Sequence, residues 1–175
     1  MGVVRTKNYI SAQGYHNLEN RINEIDERIE STLNEMGESY KRDNDIRENS
    51  EFLQLRVQAM YSLPAEKQQL LDMYQTAEII EETEMFQNWD GETVIVGCDI
   101  EILMKEKLRH FRILGESESD IPNNIISCNA KLAQVLLSHK KGDSICFNGM
   151  TVEIINVELG LSKDKSDNHT KRMER

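Results

Sequence analysis

The sequence predicts an α+β protein: a long antiparallel α-helical coiled-coil hairpin, followed by a small domain with a twisted antiparallel sheet and one short helix. Three observations predict it. Apolar residues recur at helical spacing from Leu18 to Tyr40 and again from Phe52 to Met73. Runs rich in β-branched residues follow, beginning at Thr93. Asn148-Gly149 then separates two such runs, which is the strongest short signal for a β-hairpin turn.

Ser11 is a suitable N-cap for the first helix, because its hydroxyl can accept a hydrogen bond from an unpaired N–H of the first turn. Leu18, Ile22, Ile25, Ile29, Leu33, Met36 and Tyr40 follow in steps of 4, 3, 4, 4, 3 and 4, close to a heptad. Glu24, Asp26, Glu27, Arg28 and Glu30 lie mostly off that stripe. A helix over about residues 12 to 41 is roughly 45 Å long. Lys41-Arg42-Asp43-Asn44 is a polar break, with Asn44 the residue best able to turn left-handed. A second helical pattern starts near Asp45 and carries Phe52, Leu55, Ala59, Leu70 and Met73, so a short link makes the pair antiparallel. Pro64 lies within that pattern and is expected to kink it or to begin a new segment.

The texture changes near Glu78. Glu81 to Glu84 and Gln87 to Gly91 read as linker and turn. Thr93 to Met104 reads as a strand bent at Gly97, and Leu108 to Leu114 as a second strand. Ala130 to Ser138 is a short helix, and Ser144 to Phe147 and Met150 to Val157 are the arms of the Asn148-Gly149 hairpin. The domain boundaries expected are 1–78 for the hairpin with its tip near 41–49, 79–160 for the sheet domain, and 161–175 for a tail without periodicity, expected to be disordered.

With 175 residues there is room for one domain or two small ones. A net charge of −10 argues against direct, non-specific binding of DNA or RNA, since phosphate binding needs positive surface. A protein partner, a bound cation or a local basic patch stays open. No run approaches the roughly 20 apolar residues needed to span a bilayer, and the start lacks the apolar stretch of a signal peptide. Cys98, Cys128 and Cys146 are far apart and show no metal-ligand spacing, which suits reduced, mostly buried thiols in a cytosolic protein. His16, His110, His139 and His169 are isolated and are assigned no catalytic role.

The residues that could carry chemistry lie between the two helical patterns. Asp45 and Glu48 stand three apart, the spacing of a capping box at a helix start. The same spacing puts two carboxylates within one turn at an exposed tip, where they could share a divalent cation. Two donors are too few to hold Mg²⁺ alone, so any such site must be completed by a partner. Lys41, Arg42, Arg47 and Arg56 surround the tip, either as a solvated face or as a local patch for phosphate.

Four motifs in order resemble those of the bacterial transcript-cleavage factors GreA and GreB. Asn44 to Phe52 (NDIRENSEF) is similar to the family's tip motif G-D-L-K-E-N-A-E-Y. Phe111 to Gly115 is similar to Y-R-I-V-G, and Ile126 to Ala133, with Gly142-Asp143 behind it, to I-S-x-x-S-P-(I/L)-A. Ser11 to Gly14 with Leu18 is similar to T-x-x-G-x-x-x-L. The resemblance covers about residues 8 to 159 and implies an FKBP-like fold for the sheet domain. It implies binding to RNA polymerase, with the hairpin in the secondary channel. Asp45 and Glu48 would help to hold a catalytic Mg²⁺ shared with the polymerase, for hydrolysis of the nascent RNA near its 3′ end. Lys41, Arg42, Arg47, Asn49 and Arg56 would support the tip or contact RNA, and Asn129, Ala130 and Lys131 would dock on the polymerase. The factor would have no enzyme activity alone and would be monomeric when free and cytoplasmic. The acidic balance is closer to GreA than to GreB.

The sequence departs from the family at Asn44 for glycine, Phe52 for tyrosine, Ala130-Lys131 for Ser-Pro, and Pro64 within the second helix. Two rival readings stand beside it: a polymerase inhibitor on the same scaffold without cleavage, which the extra acid Asp43 would suit, and, from another class, a plain coiled-coil adaptor that dimerises through its apolar stripe. A prolyl isomerase is disfavoured because Phe111, Phe147 and Trp89 are few aromatics for a proline pocket.

Overall fold

The computed structural model describes residues 7–162. They form two compact units, a helical hairpin spanning His16–Thr76 and a sheet unit built from the chain on either side of it. The boundary expected after residue 78 therefore falls after Thr76, and the residues up to Tyr15 join the sheet unit. Most of the tail expected at 161–175 lies outside the described residues.

In the hairpin, α1 (Ala12–Arg42) returns as α2 (Ser50–Val57), a π-helical turn (Gln58–Ser62) and α3 (Leu63–Thr76). The buried or half-buried seam of α1 is Leu18, Ile22, Ile25, Ile29, Thr32, Met36 and Ser39. It keeps a strict alternation of four and three, as a supercoiled pair requires. The stripe expected from the sequence drifts off that seam after Ile29. Leu33 and Tyr40 are 38% and 45% exposed, and Thr32 and Ser39 take their places inside. Small hydroxyl residues fit there because their polar atoms have partners. Thr32 Oγ1 donates to the Arg28 carbonyl at 2.7 Å, and Ser39 serves the tip described below. From the second arm come Phe52, Leu55, Ala59, Leu63, Leu70 and Met73, buried or half-buried.

The effect of Pro64 is specific. Lacking an N–H, it cannot continue the α-helical ladder, and its ring clashes with the carbonyl of Met60. The chain inserts a π turn just before it, in which the Leu63 N–H reaches back to the Gln58 carbonyl. The flanking dihedrals stay right-handed helical at Val57 and Leu63, so the helix runs through the bulge.

The sheet unit holds a five-stranded sheet in the order β5-β4-β3-β7-β6. Its strands are β3 (Cys98–Met104), β4 (Lys107–Leu114), β5 (Ile125–Ser127), β6 (Ser144–Phe147) and β7 (Met150–Leu159). All neighbours are antiparallel except β4 and β5, a short parallel pair at one edge. Alternation buries Cys98, Ile100 and Ile102 of β3 on one face. On β7 the register skips Ile155, so the buried set steps from Val152 and Ile154 to Val157. This bulge keeps the apolar side of the strand on the core despite the change of parity. Phe86 of α4 (Glu84–Gln87), and Ala133 and Leu136 of α5 (Lys131–Leu136), complete the core. The segment from Thr93 to Gly97, expected as strand, is a buried loop that turns at Gly97, φ +97°.

A two-stranded parallel sheet, β1 (Asn8–Ile10) with β2 (Ala77–Ile79), was not foreseen. β1 crosses so close to Gly115 that a Cβ there would lie 1.7 Å from the Tyr9 carbonyl oxygen. Only glycine fits. Just after β1, two carboxylates take up the first turn of α1. Glu118 accepts from the Ser11 N–H at 2.7 Å and from its hydroxyl, and Glu81 accepts from the Ala12 N–H at 2.9 Å. The Ser11 Oγ accepts from the Gly14 N–H at 2.9 Å, so Ser11 is the N-cap as expected. Burial pushes the Glu81 carboxyl above its ordinary value, and the nearby Glu118 charge adds to the rise. Such a group stabilises the fold most when protonated, and that contribution is lost as pH rises through its folded pKa. Glu81→Gln, which keeps an acceptor for Ala12, is expected to be more stable than the parent at pH 7. Urea denaturation should find the gap narrowing as pH falls through the raised folded pKa and closed by about 4.5, the ordinary value of this carboxyl; a pH-independent gap would contradict this.

The β3–β4 turn, Lys105-Glu106, puts both residues at positive φ, 52° and 59°. This is the dihedral signature of a type I′ turn without the residues that favour it, unlike Asn148-Gly149 at 50° and 74°. Lys105→Asn with Glu106→Gly should raise stability by about 1 kcal/mol or more by relieving left-handed strain. A melting temperature unchanged or lowered would contradict that expectation.

Candidate functional site

The hairpin tip runs from Asp43 to Asn49 and is organised around one buried side chain. Asn49 is the N-cap of α2 and is 7% exposed, while residues 41–48 are all exposed. Its Oδ1 accepts from the Phe52 N–H at 2.9 Å and from the Ser39 hydroxyl at 3.2 Å. Its Nδ2 donates to the carbonyls of Ser39 and Asp43, at 3.1 and 2.8 Å. One amide therefore satisfies the start of α2, the end of α1 and the loop between them. Just behind, the ring of half-buried Phe52 meets that of the exposed Tyr40 outside the seam, centroids 6.1 Å apart.

The second helix therefore begins at Ser50 and not near Asp45. The capping-box reading of Asp45 and Glu48 does not hold, because Asn49 caps the helix. Asp45 instead makes a local turn: its Oδ1 accepts from the Arg47 N–H at 3.1 Å, and its own N–H donates to Asp43 Oδ1 at 3.1 Å. Its carbonyl accepts from the N–H groups of Glu48 and Asn49, at 3.0 and 2.9 Å. Asn44 does not take a positive φ. The loop is long enough to turn without a left-handed residue.

Asp45 Oδ2 and both oxygens of Glu48 make no hydrogen bond or ion pair among the described residues, and both side chains are exposed. The basic residues divide into two sets. Lys41 pairs with Glu38 at 2.7 Å and Arg42 with Glu51 at 2.8 Å. The Ser39 hydroxyl, then the Arg42 guanidinium, hold Glu51 below its ordinary pKa. Arg47 and Arg56 are exposed and make no ion pair among the described residues. Behind the tip, one flank is an acidic groove lined by Glu27, Glu30, Glu35, Glu38 and Glu51, with Arg42 among them. That flank repels phosphate.

Among the described residues no three or more His, Cys, Asp or Glu side chains converge as a metal centre would. Two exposed carboxylates supply part of a coordination shell and no more, which fits Mg²⁺ only if other molecules supply the remaining oxygens. Cys98 and Cys128 are buried and Cys146 exposed, all as thiols, and burial pushes Cys98 up to about 11. In the sheet unit Asn129 donates from Nδ2 to Glu116 at 3.0 Å, and Ala130 stands at the N-cap of α5 with no side-chain hydrogen bond. Lys131 is exposed in its first turn. Asn49 and Ser39 are the residues whose structural roles the sequence reading missed. Asn49 directly before an apolar helical pattern was the available signal.

A sheet unit joined to a hairpin with a carboxylate-bearing tip defines the general class, and comparison with known proteins gives the family. Residues 90–159 match the family model described as the C-terminal part of the transcription elongation factors GreA/GreB. GreA of Orientia tsutsugamushi (strain Ikeda) is 32% identical over 148 residues, covering 78% of this chain and 84% of the relative. GreA of Beijerinckia indica is 25% identical over 154 residues, covering 85% and 95%. The chain belongs to the GreA/GreB family of transcription elongation factors. Among solved structures, GreA factor homolog 1 of Thermus thermophilus is 17% identical with a TM-score of 0.38, covering 87% of this chain and 99% of the other. A GreA/GreB protein of Nitrosomonas europaea is 15% identical with a TM-score of 0.36, covering 86% and 98%. No helix among the described residues is long and apolar enough to cross a membrane.

If Asn49 is chiefly a cap, Asp should replace it at little cost, since both cap well. The four-way bonding gives a different expectation. Asn49→Asp loses both donors and turns a charge on two carbonyls, so it should cost about 2 kcal/mol. The Phe52 amide should keep its hydrogen-exchange protection, since a carboxylate still accepts from it. Full stability in the Asp variant would reduce Asn49 to a cap.

Proposed function

We propose that this chain is a cytoplasmic accessory factor of RNA polymerase, without enzyme activity of its own, that stimulates cleavage of nascent RNA in backtracked complexes. The observation that carries the reading is the pair of exposed carboxylates, Asp45 and Glu48, on a tip whose backbone is pinned by Asn49. Family membership supports the polymerase as the partner and the RNA 3′ end within it as the target.

Asp45 and Glu48 would hold Mg²⁺ together with oxygens of the polymerase. When bound, such an ion activates water and stabilises charge in phosphodiester hydrolysis. The chain's contribution is positional. The Arg47 N–H fixes one oxygen of Asp45 and leaves the other outward. Glu48 follows one turn later with both oxygens available. Arg47 and Arg56, exposed and without an ion pair among the described residues, would be free to meet phosphate; Lys41 and Arg42 would have to leave Glu38 and Glu51 to do so. Asn129, Ala130 and Lys131 are proposed to dock on the polymerase surface. Asp43 Oδ1 accepts from the Asp45 N–H, a local structural use for the extra acid that supports the cleavage reading.

Asp45→Ala and Glu48→Ala should each lower the rate of RNA shortening in halted elongation complexes by a factor of 100 or more, about 2.7 kcal/mol, with polymerase binding unchanged. A double variant as active as the parent would end the assignment. Slowed elongation by the parent with no short RNA released would favour the inhibitor.

A further inference from the structure

The outer face of the five-stranded sheet carries a polar groove where the inner face carries the core. Alternation along β3 sends Asp99 and Glu101 to the side opposite the buried Cys98, Ile100 and Ile102. The register sets Arg112 and His110 of β4 on one flank of them, and Glu158 and Asn156 of β7 on the other. These six residues line the groove. Asp99 and Glu158 are cross-strand partners, a like-charge pairing that costs stability unless a cation attends it. Arg112 attends Asp99, donating to both of its oxygens at 2.6 and 2.7 Å. Glu158 accepts only from the neutral Asn156 Nδ2, at 2.9 Å, and Glu101 meets the His110 imidazole, 3.1 Å from Nδ1. No Lys or Arg among the described residues pairs with Glu101 or Glu158.

The chain itself leaves the sheet at this groove. Gly160, directly after β7, is so close to the ion pair that a Cβ there would fall 2.7 Å from Asp99 Oδ1 and 2.8 Å from Arg112 Nε. Its N–H donates to the Gly97 carbonyl at 2.9 Å, which fixes the exit beside the start of β3. Ser162 is the last described residue, and residues 163–175 follow it in sequence. They contain Lys163, Lys165, Lys171, Arg172 and Arg175 against Asp164, Asp167 and Glu174, an excess of two positive charges in a chain of net charge −10. Met173 is their one apolar residue, so charge is what they have to offer a surface. Glu158 stands about 7 Å from Gly160 along β7, and Glu101 about 14 Å away on the neighbouring strand. Residues 163 to 171 extend up to about 30 Å, so both carboxylates are within reach. We propose that residues 163–175 lie across the outer face of the sheet, with their lysines and arginines on Glu101 and Glu158, as a cover that opens and closes. Each exposed ion pair is weak. The tether makes the docking intramolecular, at an effective concentration in the millimolar range. While seated, the cover shuts the groove to any other basic segment.

The test reads amide NMR spectra of the isotope-labelled full chain, with no polymerase present, so it is independent of the tip. A tail variant combines Lys163→Gln, Lys165→Gln, Lys171→Gln and Arg172→Gln. A groove variant combines Glu101→Gln with Glu158→Gln. At low salt the Glu101, Asn156 and Glu158 amides should shift between the parent and the tail variant. The heteronuclear NOE of residues 163–175 should be higher in the parent than in either variant. Both differences should vanish at about 1 M salt, where screening reaches about 3 Å. Hexalysine, a probe for the uncovered groove, should shift the same sheet amides of the tail variant at a concentration about threefold or more below that needed for the parent. If the groove variant loses its fold, the tail variant carries the test alone, since its substitutions lie outside the sheet. Sheet amides alike in the parent and the tail variant at low salt overturn the cover, as does hexalysine acting on both equally. A difference that grows with protein concentration puts the segment of a second copy on the groove and overturns the intramolecular cover.

Discussion

The tip depends on the bonding of one amide. A hairpin turn exposes the carbonyl end of one helix and the N–H end of the next, and nothing apolar lies there to cover them. Asn49 meets both needs, because an amide donates and accepts at once where a hydroxyl or carboxylate cannot do both as fully. Its burial is affordable only because all four partners are met. This explains why small Ser39 replaces a large apolar residue in the last turn of the seam. It also explains why Asp45 and Glu48 are left to solvent: the loop is held from beneath, so its outer side chains are not needed for folding.

The acidic residues of this chain are distinguished by what they already bond. Asp43 holds the Asp45 N–H, Glu51 faces Ser39 and Arg42, and Glu38 pairs with Lys41. In the sheet unit Glu81 and Glu118 cap the first turn of α1, and Asp99 grips Arg112 through two hydrogen bonds of 2.6 and 2.7 Å. Asp45 and Glu48 leave oxygens without a partner among the described residues, as the exposed Glu24, Glu27 and Glu30 of α1 also do, and what sets the pair apart is that both lie in the tip loop.

The hairpin was legible in the sequence because a helical period repeated over many turns leaves little choice. Its details were not. Leu33 and Tyr40 looked like seam residues by hydrophobicity, but the supercoil keeps a strict 3.5-residue period and exposes them. Pro64 announced an irregularity, and only the packed arm decides that a π turn absorbs it. In the sheet unit the Asn148-Gly149 hairpin was plain, whereas Lys105-Glu106 gave no turn signal because those residues adopt left-handed dihedrals under the pull of the flanking strands. β1 and β5 are three residues each, too short for any period, and are set by long-range pairing. The site residues Asp45 and Glu48 were found through a motif. Their local geometry was misread as a capping box because the true cap, Asn49, makes bonds to Ser39 and Asp43 that spacing does not reveal.

In the proposed function, two side chains of this chain complete a cation site that the polymerase supplies in part. The most direct measurement is the rate of RNA cleavage in halted complexes against Mg²⁺ concentration, for the parent and for Glu48→Gln. The variant should need far more Mg²⁺ to reach half of its own maximal rate, because one donor to the ion has become a weaker neutral oxygen. An unchanged Mg²⁺ midpoint, with only the maximal rate altered, would contradict it.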